Sequence, residues 1–259
     1  MKKILAFAFV LLAFSSKAQT KMGVIYDQNV QVRKLPSFTS IRVSNAIELY
    51  ISQSSKTDVA VSAKSDEYRN RIITEVVGGT LIIRMEDNYK WWKWSEDFKA
   101  KAYVSVKELY ALTGSGATNI KIINGLNTEK LKLTLSGASD LKGDIKAGTL
   151  IAELSGASSF KAKLQANAFS LKGSGASDCE ITGSGDDLIV DVSGASSVKM
   201  YDYIVKGASV EASGASDVNI HVSEMLKVQA SGASSVDYKG NARVTEKKTS
   251  GASDVKHRN

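Results

Sequence analysis

The sequence predicts an all-β fold: a parallel β-helix (β-solenoid) preceded by a β-rich N-terminal region. Three observations support this prediction. A tetrapeptide recurs at a near-fixed interval, apolar residues alternate before each copy, and turn-forming residues cluster between copies. A near-fixed interval means that each unit returns the backbone to an equivalent place, as in a solenoid of stacked coils. Each unit of roughly 19 residues is therefore expected to form one coil.

The tetrapeptide is Ser-Gly-Ala-Ser, with Thr at the last position of the first copy, and it occurs eight times. The copies are 18 to 21 residues apart. They start at Ser115, Ser136, Ser155, Ser174, Ser193, Ser213, Ser231 and Ser250. Its Gly supplies a corner geometry that a side chain would obstruct. With about 4.8 Å between neighbouring strands, eight coils are expected to make a rod roughly 40 Å long.

Apolar residues alternate with polar ones just before each tetrapeptide, as at Leu131, Leu133 and Leu135. A period of two with one apolar face is typical of a half-buried strand and not of a helix. Turn-forming residues lie midway through the unit, as at Ala147-Gly148 and Gly185-Asp186-Asp187. Each unit is therefore predicted to contain two short strands and two corners.

The residue that follows each tetrapeptide alternates between Asp and Ser from Asp140 onward. If one unit is one coil, successive acidic residues are separated by two strand spacings, roughly 9.6 Å, which limits their repulsion. Alternatively, one turn spans two units and produces separate Asp and Ser ladders. The first arrangement is favoured because roughly 19 residues suffice for two strands and two corners. It predicts that Asp140 and Asp178 do not lie on neighbouring strands.

Residues 1–18 predict a secretory signal peptide. Lys2 and Lys3 precede an apolar run, 4–14, and the small residues Ser16 and Ala18 fit a cleavage site. The run has eleven residues, fewer than the roughly 20 needed to span a bilayer. The mature chain would carry 31 basic and 27 acidic residues. This small excess gives no reason to expect nucleic acid as a partner, and no membrane span is expected.

Two regions are expected to follow the signal peptide. Residues 19–114 hold all three Trp and only four of the twenty Gly, whereas residues 115–259 hold the repeats. The first region is predicted to form strands that continue the stack or pack on it, with a hairpin at 76–81. In the last coil Val244, Glu246 and Lys248 are expected at positions that are apolar upstream. A polar C-terminal cap of this kind blocks edge-to-edge growth.

These features resemble the head GIN domain family of auto-transporter adhesins. The resemblance depends on Phe38-Thr39-Ser40-Ile41-Arg42-Val43, on Gly78-Gly79-Thr80-Leu81-Ile82-Ile83 and on the Ser-Gly-Ala-Ser-Asp series. It covers roughly residues 30–255. Membership would imply an exported, non-catalytic solenoid module of the cell envelope with an adhesive or structural role. Such a module would be located in the periplasm, at the cell surface or outside the cell.

The segment Trp91-Trp92-Lys93-Trp94 is the main candidate for contact with a ligand or partner. Aromatic faces stack on sugars or fill the pockets of a partner, and Lys93 could assist binding of an acidic ligand. Alternatively, these rings cover the open apolar end of the solenoid or a hydrophobic seam between the two regions. The expected ligand is an unknown protein or a glycan.

Catalytic, metal and cofactor sites are not expected. His221 and His257 have no distinctive Ser partner, because the Ser residues belong to repeated corners. Cys179 falls in the apolar column that follows the tetrapeptides, which predicts a small buried side chain. Calcium takes six to eight oxygens at about 2.4 Å, so Asp residues roughly 9.6 Å apart cannot share one ion.

Two alternatives concern partners and activity. The scaffold could carry a carbohydrate-binding or carbohydrate-active protein of the polysaccharide lyase or hydrolase kind, which would need clustered acids or bases in a groove. The tetrapeptides would also form a flat strip of small residues, along which two copies of the chain could pair as a homo-oligomer.

Overall fold

The computed structural model describes residues 29–86 and 99–259, which form one continuous eighteen-stranded sheet and a short helix. The predicted all-β solenoid is confirmed. Its elements are β1 (Gln31–Arg33), β2 (Ser40–Val43), β3 (Glu48–Gln53), β4 (Asp58–Ser62), α1 (Asp66–Asn70), β5 (Ile72–Val77), β6 (Thr80–Met85), β7 (Lys101–Val106), β8 (Ala111–Gly114), β9 (Asn119–Ile122), β10 (Leu126–Leu135), β11 (Asp140–Leu154), β12 (Ser159–Gly173), β13 (Asp178–Val192), β14 (Ser197–Ala212), β15 (Asp217–Ala230), β16 (Ser235–Lys239), β17 (Arg243–Thr249) and β18 (Asp254–His257).

The repeats stack in sequence order, one unit per coil. Strands β10 to β15 pair in parallel with their successors, and β15 pairs with both β16 and β17. Asp140 lies opposite Ser159, and Ser159 lies opposite Asp178. Successive acidic residues are therefore two rungs apart, as predicted, and the arrangement with two units per turn is wrong.

Each central coil is one long strand that bends, where two short strands were predicted. Strand β11, for example, runs unbroken through 15 residues. The predicted middle corner is nevertheless present, because Gly148 and Asn167 drop out of the otherwise continuous register between β11 and β12. One unpaired residue per rung is enough to turn the chain while its neighbours keep their hydrogen bonds.

The tetrapeptide corners require Gly for two reasons, as Gly156 shows. Its φ of +73° lies in the left-handed region that side chains disfavour. A Cβ at this position would also lie 2.6 Å from the carbonyl oxygen of Gly137 on the preceding rung. That carbonyl accepts a hydrogen bond from the Ala157 N–H at 2.8 Å. The corners therefore continue the ladder of hydrogen bonds along the rod.

The last residue of each tetrapeptide except Ser253 is buried beneath its corner. Ser139 is fully buried, and its hydroxyl donates to the carbonyl of Ser136 at 2.7 Å. It also accepts a hydrogen bond from the Thr118 hydroxyl of the preceding rung at 3.1 Å. Ser158 is equally buried, but its hydroxyl has no hydrogen-bond partner. The hydroxyls thus close most corners against their own backbone.

The interior is apolar along the whole rod. Gly185 of β13 leaves a space that an aromatic side chain from the next rung fills, because a Cβ on Gly185 would overlap the Tyr203 hydroxyl. The Tyr203 ring packs edge-on against Phe169 at 6.1 Å, and Phe169 packs edge-on against Phe160 at 6.5 Å. Aromatic pairs prefer such T-shaped geometry, so this part of the core is held in one arrangement.

The N-terminal strands both continue the stack and pack on it, but not in chain order. Strand β2 lies between β6 and β8, and β3 lies between β7 and β9. The outer side of this end is covered by antiparallel strands: β5 pairs with β6, β4 with β7, and β1 with β4. The predicted hairpin is confirmed, with Val77 opposite Thr80 and positive φ at both Gly78 and Gly79.

The last rung is polar, with a register that differs from the predicted one. A bulge between β15 and β17 shifts the pairing, so Lys247 and Thr249, rather than Glu246 and Lys248, lie opposite Val228 and Ala230. The ammonium group of Lys247 donates to the carbonyl of Val255 at 2.9 Å. A lysine therefore reaches the backbone of the final strand β18 at the end of the rod.

Candidate ligand-binding groove

The predicted contact residues Trp91, Trp92, Lys93 and Trp94 lie outside the described residues. The described chain reaches Glu86, just after β6, and resumes at Lys99, just before β7. The assignment of these four residues to a binding site stays a prediction.

An open groove of about 710 Å³ lies on the side of the rod. It follows the tetrapeptide in each coil and precedes the middle corner, so strand pairing sets its residues in columns along the axis. One wall contains Asp144 and Lys163, whose backbone positions lie opposite each other on neighbouring rungs. The other wall consists of Asn127, Lys146, Gln165 and Ser184, each opposite the next.

The floor of the groove lies between the two columns. Leu126, Ile145, Leu164 and Gly183 occupy it on four consecutive rungs. The three apolar side chains are buried in the core, so a ligand would meet mainly backbone and the polar side chains of the walls. The backbone bends here with positive φ at Gly143 (151°) and at Gly183 (120°).

Two amide side chains build the N-terminal end of the groove. Asn124 accepts from the Gln53 N–H and donates to the Gln53 carbonyl, both at 2.9 Å. The Gln53 amide donates to the carbonyls of Asn127 at 2.8 Å and Lys107 at 3.0 Å, and accepts from the Asn127 N–H at 2.7 Å. These contacts fix the groove end, because both amides are engaged by backbone groups.

The charged groups of the groove lack the ion pairs that join several neighbouring rungs elsewhere on the rod. On other faces neighbouring rungs are joined by ion pairs, such as Lys132–Glu153 at 3.0 Å and Lys161–Glu180 at 2.8 Å. Within residues 29–86 and 99–259, by contrast, the side chains of Asp144, Lys146 and Lys163 form no hydrogen bond or ion pair. The same holds for the side chains of the wall residues Asn127, Gln165 and Ser184.

A second, smaller cavity of about 350 Å³ extends the groove toward the C-terminal end. It shares Gln165 and Ser184 with the first and continues along β14 to Ser223 of β15. Ile204, whose side chain is 48% exposed, follows Ser184 in the same wall. The two cavities together span six rungs, which corresponds to about 24 Å.

The tetrapeptides form a flat strip on another edge of the rod. Gly and Ala are exposed at every corner from Gly116-Ala117 to Gly251-Ala252. A third cavity of about 510 Å³ lies beside Ser213, Ser231 and Ser250. Pairing of two copies along this strip stays a prediction.

The described residues contain little that resembles catalytic machinery. His221 Nδ1 lies 3.3 Å from the carbonyl of Tyr201, and His257 Nε2 lies 2.9 Å from the carbonyl of Gly240. Burial, and secondarily the Asp178 carboxylate, raises the pKa of the Cys179 thiol, so the nucleophilic thiolate is scarce. As predicted, Cys179 is buried.

The described parts of the chain hold neither a cluster of metal-ligating side chains nor a membrane-spanning helix. No group of three or more His, Cys, Asp or Glu side chains there is placed to hold a metal ion. No helix within residues 29–86 and 99–259 has both the length and the apolar character of a membrane span.

The groove was not predicted from the sequence, although part of its signal is there. Asn127, Lys146, Gln165 and Ser184 recur at the same place in successive units, 19 residues apart. The sequence does not show that the backbone is concave at this column, or that its charged side chains form no ion pair among the described residues.

The family to which the chain belongs follows from comparison with known proteins. The profile of the family described as "Putative auto-transporter adhesin, head GIN domain" matches residues 37–242, which is most of the chain. The chain belongs to this family. No sequence among the curated proteins matches it.

Several crystal structures share its fold. A "putative lipid binding protein" from Parabacteroides distasonis superposes with a TM-score of 0.79 at 20% identity, covering 90% of this chain and 98% of that one. A "putative adhesin" from Parabacteroides merdae has a TM-score of 0.78 at 17% identity, covering 89% and 96%. Another from Bacteroides fragilis has a TM-score of 0.65 at 20% identity, covering 90% and 98%. At these identities the similarity shows a shared fold and says nothing about a shared ligand.

Proposed function

We propose that this chain is an exported, non-catalytic binding module of the cell envelope that attaches to an extended polymer, as an adhesin does. One observation carries the proposal: polar and charged side chains that have no partner among the described residues are aligned in columns along a groove, on the four consecutive rungs β10 to β13. A polymer with its own repeat can contact several rungs at once. Weak contacts that act together give an avidity that no single contact provides.

Two further observations support a non-catalytic role. The described groove holds two lysines and one aspartate in its larger cavity but neither a histidine nor a pair of facing carboxylates. Acid–base hydrolysis of glycosides uses such a carboxyl pair. The structural relatives, moreover, are named for adhesion or lipid binding and not for a reaction.

Export to the envelope is supported by the sequence and by the family. The basic residues, apolar run and small residues of segment 1–18 fit a secretory signal peptide, and the family is described as one of adhesins. Expression of the full chain followed by N-terminal sequencing tests this part. We expect the mature chain to begin at Gln19, and retention of Met1 after export would contradict it.

A glycan array combined with an activity assay tests the function as a whole. We expect the protein to be retained by acidic or neutral polysaccharides while releasing neither reducing ends nor unsaturated sugars from them. Release of either product would make the protein a carbohydrate-active enzyme. Retention by no glycan, together with binding to lipid vesicles, would favour a lipid-binding role.

The tryptophan segment is included in the proposal as a second contact region. Aromatic side chains stack on sugar rings, and Lys93 can pair with an acidic group. Replacing Trp91, Trp92 and Trp94 by Ala is expected to weaken glycan retention and to leave the free energy of unfolding nearly unchanged. Lost stability with unchanged retention would instead assign the rings to the apolar end of the solenoid.

A further inference from the structure

We propose that the groove defined by Asp144, Lys146, Lys163, Gln165 and Ser184 binds an acidic polysaccharide lying along the rod axis, with its carboxylates on Lys146 and Lys163. This inference rests on the proposed function and names its ligand class and site. The residues come from three consecutive rungs, β11, β12 and β13.

The unpaired lysines point to an anionic ligand. Some exposed charges outside the larger cavity are neutralised between rungs: Lys172 pairs with Asp191 at 3.8 Å, Lys206 with Asp186 at 2.7 Å and Lys227 with Glu246 at 3.0 Å. Others, such as Lys142 and Lys199, form no ion pair within the described residues, so it is the position of Lys146 and Lys163 in a groove with polar walls that distinguishes them. Lys146 and Lys163 form no such pair within the described residues, although both line the largest of these cavities. A carboxylate that enters the groove can therefore form charge-assisted hydrogen bonds without breaking an existing ion pair.

The remaining wall residues suit sugar hydroxyls. Asn127 and Gln165 offer amide groups that both donate and accept, Ser184 offers a hydroxyl, and Asp144 offers acceptor oxygens. All four side chains make no hydrogen bond among the described residues. Because a sugar ring with its glycosidic oxygen is close in length to the rung spacing of about 4.8 Å, successive rings can meet equivalent groups on successive rungs.

Peptide and lipid ligands fit the groove less well. A peptide that binds by adding a strand needs an unpaired strand edge, whereas the strands under the groove, β11 to β13, are each paired on both sides. An acyl chain needs apolar side chains to lie against, but Leu126, Ile145 and Leu164 are at most 3% exposed. The polar walls are therefore the surface that a ligand meets.

Calorimetric titration of the full chain with an oligogalacturonate hexamer tests the proposal, with a neutral cello-oligosaccharide of equal length for comparison. The key variant is the double substitution Lys146→Gln and Lys163→Gln. Its matched control is Lys142→Gln with Lys199→Gln, which removes two exposed lysines from the sheet face outside the groove. A third variant, Gln165→Trp, places a bulky side chain in the wall.

We expect the acidic hexamer to bind more tightly than the neutral one and to bind more weakly as salt is raised. Lys146→Gln with Lys163→Gln is expected to weaken binding at least ten-fold, Gln165→Trp to a similar degree, and the control pair less than two-fold. Unfolding curves of each variant confirm that the rod remains folded.

Four results would overturn the inference. If the groove variant and the control pair lose the same affinity for the acidic hexamer, the hexamer is attracted unspecifically to a basic protein surface. Full binding by both groove variants would place the glycan site elsewhere and leave the proposed function standing. Binding to phosphatidylglycerol vesicles, lost in the groove variant, without any glycan binding would make it a lipid headgroup site. No binding to glycan or vesicle would remove the inference and the proposed function together.

Discussion

The repeats after Ser115 and the strands before them build the same kind of rung by different routes. In the repeats each rung follows its predecessor in the chain, and Gly occupies the left-handed corner position. Before them, the rung formed by β2 and β3 is inserted between two others, and its corner is Ser44-Asn45-Ala46 with φ of +63° at Asn45. Asn tolerates this region better than most residues with a side chain.

The comparison separates two requirements of a corner: a left-handed backbone conformation, and space for the carbonyl of the preceding rung. Asn45 has to satisfy only the first, whereas Gly156 must also leave room for the Gly137 carbonyl. The Ser115 N–H bonds to the Val43 carbonyl at 3.0 Å, so the ladder reaches the residue immediately before the Asn corner. Left-handed backbone alone does not demand Gly in this solenoid.

The largest effect is expected for Gly156→Ala. The left-handed conformation costs about 1–2 kcal/mol for Ala, and overlap with a backbone carbonyl adds about 1–3 kcal/mol. The free energy of unfolding in urea should fall by about 2–5 kcal/mol. The matched control, Asn45→Ala, adds no atom to its corner and should cost only about 1 kcal/mol. Equal decreases in the free energy of unfolding at both positions would show that the carbonyl overlap does not contribute to it.

An intermediate effect is expected for the buried hydroxyls within the repeats. Ser139→Ala removes a donor to the Ser136 carbonyl and an acceptor for Thr118, and should cost about 1–2 kcal/mol. Ser158→Ala removes a buried hydroxyl that has no partner, and should be neutral or stabilising. Urea unfolding measures both. A loss at Ser158 as large as at Ser139 would contradict the difference between the two corners.

The smallest effect is expected for ion pairs, one at the junction of the two regions and one within the repeats. Burial alone would raise the pKa of Glu48, but Lys121, 2.6 Å away, and Tyr50 bring that pKa below its ordinary value of 4.5. The hydrogen bond from Lys161 likewise lowers the pKa of Glu180. Carboxylates with lowered pKa stabilise the fold above their unfolded pKa, and this stabilisation is lost as the pH falls through the folded value.

Glu48→Gln should therefore lower the thermal midpoint slightly at neutral pH and less at acidic pH, where the wild-type carboxyl is protonated. Glu180→Gln should lower the thermal midpoint to a smaller extent, because the Lys161–Glu180 pair is more exposed to solvent than the Lys121–Glu48 pair and is screened more. Scanning calorimetry at both pH values checks this. A destabilisation that grows as the pH falls would have the wrong sign.

Much of the fold is predictable because the repeated tetrapeptides recur at nearly equal intervals in the sequence. The interval fixes one coil per unit, and the Asp and Ser that follow each tetrapeptide fix the register. The inserted rung leaves no such signal, because β2 pairs with strands far away in sequence. Its corner also lacks the tetrapeptide sequence, because Asn45 replaces the Gly and the buried Ile47 replaces the last Ser.

The groove and the polar end escape prediction for local reasons. The groove is accompanied by positive φ at Gly143 and Gly183, and both residues fall outside the repeated tetrapeptide. At the C-terminal end, one extra residue in a bulge moves Lys247 into the position predicted for its neighbour. A shift of one residue exchanges the two faces of a strand, and alternation alone cannot reveal it.

The inserted rung has a mechanical consequence. Tension applied along the axis pulls rungs apart in the direction of their hydrogen bonds, so the ladder opens as a zipper, one turn after another. At the N-terminal end β2 and β3 are clamped between later segments of the chain, whereas β17 and β18 pair on one side with a single preceding coil. Peeling should therefore start at β18 and β17, each released turn adding about 60 Å of slack, so that the rod lengthens in steps under load.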